Sequence, residues 1–351
     1  MKTAVASALA TAVALAGLAG CSGSSHEQAR TKPVAAESSA ATTPAPAPEP
    51  VTPQTATKAF RSFVVNDDVA RASGDERLAL WWTSEGQSQL TAAQFRRAMA
   101  AGDPVPRYRY AAPKLYVPRL RPDGAQWFVA LVRRSLVDGK DPHTMIMGFV
   151  RSKPTMRWRL SLATVLDKKQ KAPKIAVDAE GYAKPLATFD TGLLIPPRVV
   201  PSIQATLAEE GPQNVAVKVM ETGKHTTDFY TADQKATKPK KGSGLKVNTV
   251  YATTAFPIFP LATSDGGGIV LYALSRDAVS TKNKKKPGHV PVPKDAAPFI
   301  ATSRVHNQLD VTQTLQFATL VPPAPKKGET ADKAVIVGAD GATIKATVPT
   351  H

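Results

Sequence analysis

Apolar residues recur along this chain with two different periods, and the change from one to the other marks out its elements. Ala56, Ala59, Phe60, Phe63 and Val64 stand at i, i+3, i+4, i+7 and i+8, one face of a helix. Thr52 followed by Pro53 offers that helix an N-cap and a first turn. Leu78, Leu80, Trp81 and Trp82, after Gly74-Asp75, predict a second, shorter helix or the start of a loop. A third helix is expected with Thr91 and Gln94 as a capping box, Phe95 and Met99 as its apolar face and Gly102 as its stop. From Pro113 the period becomes two. Residues 115–121 and 126–136 read as strands across a turn at Pro122-Asp123-Gly124, and Asp138-Gly139 marks the next reversal. Residues 144–151 give a third strand. In the fourth, Met156, Trp158, Leu160, Leu162, Thr164 and Leu166 alternate with a mixed set, which predicts a sheet whose one apolar face covers the helices. Helices followed by antiparallel strands predict an α+β fold.

The polar, proline-broken stretch 168–174, Lys-Lys-Gln-Lys-Ala-Pro-Lys, is the expected linker between a first domain over 54–167 and a second over 175–351. The pattern then partly repeats. Residues 175–182 predict a strand with a turn at Glu180-Gly181, 199–210 a helix stopped by Gly211-Pro212, and 227–235 a shorter helix. Pro118, Asp123-Gly124 and Arg134 are matched 142 positions on by Pro260, Asp265-Gly266 and Arg276. Leu160, Leu162, Ala163 and Thr164 match Leu315, Phe317, Ala318 and Thr319 at an offset of 155, with the extra residues placed in 282–295. These matches predict a tandem duplication. The tail departs from it, because 333–337 and 342–348 around Asp340-Gly341 predict a hairpin without a counterpart.

The N-terminal pattern is different again. One cation, Lys2, precedes an uncharged run of small and apolar residues that ends in Leu18-Ala19-Gly20-Cys21. A run this short and this rich in Ala and Gly is a poor membrane span, which needs about 20 strongly apolar residues, so residues 1–20 read as a signal peptide. The last four residues resemble the lipobox of bacterial lipoproteins. That resemblance implies attachment of diacylglycerol to the Cys21 thiol, cleavage before it and a further palmitate-type chain on the new N-terminus. Two acyl chains anchor firmly where one binds marginally, at about 0.8 kcal/mol per buried methylene. Residues 21–53 are Ser, Ala, Thr, Pro and Glu with almost no large apolar side chain, the composition of a disordered tether.

Composition narrows the chemistry. Cys21 is the only cysteine, so neither an internal disulfide nor a thiolate metal cluster is available. The net charge of +17 points to a polyanion, and for an exported protein the nearest are lipid headgroups and phosphate-bearing envelope polymers. The cations cluster at Lys238, Lys240, Lys241 and Lys246, and again at Lys282, Lys284, Lys285 and Lys286. These are candidate contacts to an anionic surface, or solvated loops. Nucleic acid is not expected, since no aromatic residues are interleaved to stack bases. His26, His143, His225, His289, His306 and His351 are scattered, without the short spacing of a metal site. Gly266-Gly267-Gly268 lacks the Lys-Ser/Thr of a phosphate loop and reads as a hairpin turn, and Gly242-Ser243-Gly244 is not a nucleophile elbow. Asp67-Asp68 reads as a solvated helix end, and Trp81, Trp82 and Trp158 as core. No catalytic, cofactor or metal residue is assigned.

Helices followed by a curved antiparallel sheet, twice, resemble the NTF2-like (cystatin-like, SnoaL-type) cone fold. The full layout is similar to uncharacterised actinobacterial lipoproteins that carry such modules. The resemblance implies a cone interior, which in enzymes of that superfamily holds acid/base residues for isomerisation or dehydration, but no motif transfers any of them here. Two functions are therefore expected in order. The first is a non-catalytic binding or accessory module, anchored by Cys21 on the extracytoplasmic membrane face, that recognises an envelope polymer or another exported protein. The second is an enzyme acting on a small molecule inside one cone. A buried ionisable residue with a shifted pKa would favour the enzyme, and a cone filled by its own side chains the module.

Overall fold

Among the described residues the chain builds three helices and five strands, then two helices and five longer strands. The computed structural model describes residues 50–122, 124–237, 244–283, 285, 288–302, 304–330 and 332–349. The signal peptide, Cys21, the tether up to 49, Asp123, Lys238, Lys240, Lys241, Gly242-Ser243, Lys284 and Lys286 lie outside them. The first half comprises α1 (Pro53–Ser73), α2 (Glu76–Trp81), α3 (Glu85–Ala101), β1 (Tyr108–Tyr110), β2 (Lys114–Tyr116), β3 (Gln126–Leu136), β4 (His143–Arg151) and β5 (Arg159–Leu166). The second comprises α4 (Val200–Glu210), α5 (Thr227–Thr237), β6 (Leu245–Thr253), β7 (Phe259–Ala262), β8 (Gly268–Lys282), β9 (Gln308–Val321) and β10 (Val335–Thr347).

Helix α1 starts as its sequence dictates, with the Thr52 hydroxyl accepting from the Thr55 N–H at 3.1 Å, and Gly74 closes it in the left-handed region at φ 69°. The Trp81-Trp82 region is helical up to Trp81, capped by Asp75. Helix α3 begins after Ser84, well before the expected capping box, so Thr91 and Gln94 are interior residues. Gln94 bonds Arg71 and the Tyr108 hydroxyl, both at 2.7 Å, and Met99 faces solvent.

All ten strands join one antiparallel sheet in the order β1-β3-β4-β5-β10-β9-β8-β6, with β2 also on β3 and β7 also on β8. The order is a palindrome about the β5–β10 pair, so β8, β9 and β10 take the places that β3, β4 and β5 take in the first half. The 142-residue match holds for β3 and β8. The match of 160–164 to 315–319 does not, because β10, not β9, is the topological counterpart of β5. The expected terminal hairpin is likewise one continuous strand, with Asp340 and Gly341 opposite Gln316 and Leu315.

The sheet buries both faces. Between β4 and β5 the register shifts after Gly148, so Ser161 is an extra residue and the expected alternation breaks there. Trp158, Leu160 and Ala163 turn toward α1, whereas Leu162 and Leu166 turn to the opposite side. On that side Val129, Ile146 and Leu162 share one core with Leu261, Leu271 and Val337. The sheet therefore folds over itself, half against half. Phe259 fills the space over Gly148, where a Cβ would stand 2.8 Å from its ring, and meets Trp127 edge-on at 5.5 Å. Residues 175–186, expected to be a strand, form a strap instead. It bonds to both halves, through Ala183 N–H to the Val117 carbonyl at 2.9 Å and Leu186 N–H to the Pro260 carbonyl at 3.1 Å. The described residues from Pro50 onward belong to one compact unit, in which the 168–174 stretch joins two parts of a single sheet. No helix among the described residues is long and apolar enough to cross a membrane.

Candidate functional site

The outer face of the second half is covered in separate pieces. Helix α4 packs on β6 and β8 and α5 on β6, whereas β9 and β10 are covered by α3 from the first half and, toward one end, by residues 290–305. Between these pieces lies a cavity of about 670 Å³. Its wall is apolar, from Phe229, Leu315, Phe317 and Ala339, and its polar groups are Arg97, Lys224, His225, Asp295, Asp340 and Thr343. It opens at the edge of β10, which pairs with β5 only at Gly338 and Ala339 and from Asp340 onward has no strand partner on that side among the described residues.

Two protonation sites meet there. His225 Nε2 lies 2.9 Å from Asp167 Oδ2, and Lys224 Nζ lies 2.9 Å from the other oxygen of the same carboxylate. Burial raises the pKa of Asp167, but hydrogen bonds from Lys224 and His225 outweigh it and hold the carboxyl ionised. His225 therefore donates through Nε2. Burial among Phe317 and its neighbours lowers the imidazole pKa more than Asp167 raises it, so the ring is neutral at pH 7. Asp340 shifts the other way. Desolvation raises its pKa, and the Gly341 N–H at 2.8 Å, Arg134, Arg97 and His143 offset this only in part.

A second polar chain runs along the sheet into the cavity. Arg276 is paired with Asp233 and donates to the Tyr251 hydroxyl and to Gln313 Oε1, both at 3.0 Å. Gln313 in turn donates to Thr343 at 3.2 Å, and Thr343 donates to Asp295. These groups satisfy one another and fix the cavity floor. Arg276, matched to Arg134 in the sequence repeat, thus has a structural task.

The corresponding space in the first half is filled. Phe128 and Phe149 stack at 4.8 Å, Phe60 and Phe63 meet Phe149 edge-on at 5.9 and 5.3 Å, and Trp158 meets Phe128 at 5.0 Å. A groove of about 870 Å³ runs between α1 and β1; of its charged groups, Asp68 and Arg107 are bonded to each other at 2.8 and 2.9 Å, Asp138 pairs with Lys140, and Arg109 completes the lining. Asp67 is not solvated as expected. It is buried with both oxygens 2.8 Å from Arg71 Nε, so the Asp67-Asp68 pair is two separate ion pairs.

The structure brings part of the two lysine clusters together. Lys246 pairs with Thr281 and Leu245 with Lys282 at one end of the β6–β8 ladder, and Asn283 N–H bonds the Gly244 carbonyl at 2.9 Å. Lys246, Lys282 and Lys285 therefore share that end. Trp158 is core, whereas Trp81 is exposed beneath Arg157, whose guanidinium lies 3.9 Å from its ring. Residues 263–267 form the expected hairpin turn between β7 and β8. Among the described residues no three His, Cys, Asp or Glu side chains are grouped to hold a metal. Sequence reasoning missed Asp167, His225 and Asp340. The first two are 58 positions apart, and Asp340 carries the usual signature of a turn.

No solved structure matches the chain. An uncharacterized lipoprotein of Streptomyces coelicolor is 28% identical over 182 residues, which is 49% of this chain and 48% of that protein, so the chain spans about half the length of the curated relative it matches. A family profile covers far more, residues 47–348, and with that extent of match the chain belongs to the family described as "Domain of unknown function (DUF8094)".

Proposed function

We propose that this protein is a lipid-anchored module of the extracytoplasmic membrane face, two fused NTF2-like halves on a tether, that binds an anionic envelope polymer without catalysing a reaction. The lipoprotein character of the Streptomyces coelicolor relative and the Leu18-Ala19-Gly20-Cys21 sequence support the anchor. The repeated element order and the palindromic sheet support the fused halves. The observation that carries the binding role is the convergence of Lys246, Lys282 and Lys285 at one end of the β6–β8 ladder, with the rest of both clusters adjacent in sequence.

Two experiments test it. Full-length protein should fractionate with membranes and carry acyl mass on its N-terminus, and Cys21→Ser should lose both; unchanged fractionation and processing would rule out the anchor. The Cys21→Ser chain should bind phosphatidylglycerol vesicles and lose that binding as salt rises, because exposed charges are screened beyond about 8 Å at physiological ionic strength. Changing the exposed Lys246 and Lys285 together to Gln should weaken binding at unaltered stability, since exposed residues contribute within about 0.5 kcal/mol. Equal binding by the double variant, or salt-insensitive binding, would leave these lysines as solubilising surface.

A second reading, an enzyme of the isomerase or dehydratase type, is favoured by one observation: His225, oriented by Asp167, shares a cavity with the desolvated Asp340. Mass spectrometry of a molecule recovered from the cavity separates the two readings. An enzyme changes that molecule on incubation, and a binding module returns it unaltered.

A further inference from the structure

The cavity beside β10 combines apolar lining residues with hydrogen-bonding groups of opposite sense. Phe229, Leu315 and Phe317 offer no polar atoms. His225 commits Nε2–H to Asp167, which leaves Nδ1 as an acceptor. Asp340 takes the Gly341 N–H on Oδ1, and among the described residues no salt bridge or side-chain hydrogen bond neutralises it. A volume of about 670 Å³ is within the usual range for small-molecule sites, about 300–1,000 Å³.

We propose that this cavity binds a small, uncharged amphipathic molecule, with a ring-sized apolar body against Leu315 and Phe317 and a hydroxyl held between the Asp340 carboxyl and His225 Nδ1. An acceptor beside a donor matches a group that both donates and accepts. The ligand is uncharged because both signs are already present at the polar end. An anion would meet Asp295, and a cation would meet Arg97 and Lys224. Asp340 donates only while protonated, and burial keeps it so above the ordinary carboxylate range. The charged and titratable groups around it are Arg97 from α3, Arg134 from β3, His143 from β4, and Lys224, His225 and Asp295 within the cavity. Asp167 is a positioning residue that fixes the imidazole tautomer. The inference rests on the cavity alone and not on the lysine surface, so either can fail without the other.

The probe is 2-naphthol, followed by its own fluorescence, titrated into the full chain carrying Cys21→Ser. Saturable one-site binding is expected. 2-Methoxynaphthalene, which cannot donate, and 2-naphthalenesulfonate should bind at least about tenfold more weakly, the scale of one lost hydrogen bond or one unpaired charge. Ala339→Phe should fill the site and Asp340→Leu remove the donor, each lowering affinity by about tenfold or more. Asp340→Asn keeps a donor at every pH. It should bind within about threefold of the parent at acid pH and lose the parent's weakening as pH climbs from the ordinary carboxylate range of about 4 through the raised value. That flat profile keeps the test decisive if Asp340→Leu unfolds. Absence of saturable binding overturns the proposal, as does sulfonate binding as tightly as naphthol, or a parent and Asp340→Asn with the same pH profile.

Discussion

The two halves share one order of elements and fill it in opposite ways. In the first, a 21-residue α1 lies along the sheet, and Phe60, Phe63, Phe128, Phe149 and Trp158 occupy the space beneath it. In the second, the cover of β9 and β10 is divided between α3 and residues 290–305, and β10 presents Ala339, Gly341 and Ala342 to the gap between them. The titratable groups follow the same division. Asp67–Arg71 and Asp68–Arg107 in the first half are ion pairs, whereas His225, held by Asp167, and Asp340 line the cavity with shifted proton affinities.

The largest effect should come from emptying the filled half. Phe149→Ala should cost about 3–5 kcal/mol, because the hole it leaves is walled by other aromatic rings. Leu315→Ala, at the wall of the cavity, should cost less than about 2 kcal/mol, since that side chain is only partly buried. Urea unfolding measures both, and equal costs would erase the distinction between the halves.

Next comes the seam. Gly148→Ala places a Cβ 2.8 Å from the Phe259 ring, a contact between β4 of one half and β7 of the other. Overpacking there should cost about 1–3 kcal/mol, and both halves should lose stability together in hydrogen exchange. Loss confined to the first half would mean that the halves are not one cooperative unit.

The smallest effect is electrostatic. The folded-state pKa of Asp340 is raised, so folding favours its protonated form and stability falls as pH climbs from the ordinary carboxylate range through the raised value. Asp340→Asn removes that loss. The variant should match the parent near pH 3.5, at the lower edge of the ordinary range of about 4, and exceed it at neutral pH. A parent more stable than the variant at pH 7 would mean that the carboxylate is stabilised as an anion.

Much of the filled half was legible because its signals are local. Thr52-Pro53 and the 56/59/60/63 spacing make α1, and the period of two through 126–136 makes β3. The open half was legible only where signals were equally local, as at α4 and the β7–β8 hairpin. Asp340-Gly341 carries the dipeptide of a turn, yet the β9–β10 ladder runs through it. Gly341 is there for a close approach instead, since a Cβ would stand 2.7 Å from Leu315 Cδ2. Thr91 and Gln94 have capping-box spacing but lie inside α3, which begins after Ser84 with no side-chain cap and whose Gln94 serves the buried Arg71. The Asp167–His225 pair joins a strand end to the approach of a helix in the other half, and no sequence window contains both. The Leu-x-Leu-Ala-Thr likeness of 160–164 to 315–319 misled because any two buried antiparallel strands select such residues.

The central claim, that aromatic rings fill the space beneath α1 while the space beside β10 is open, is tested most directly by methyl NMR of carbon-13-labelled Ala and Leu in the full chain carrying Cys21→Ser, with and without 2-naphthol. The Ala339 and Leu315 methyls should shift and saturate together, while those of Ala59 and Ala130 in the aromatic core of the first half stay in place. Shifts at Ala59 and Ala130, or none at Ala339 and Leu315, would contradict the account.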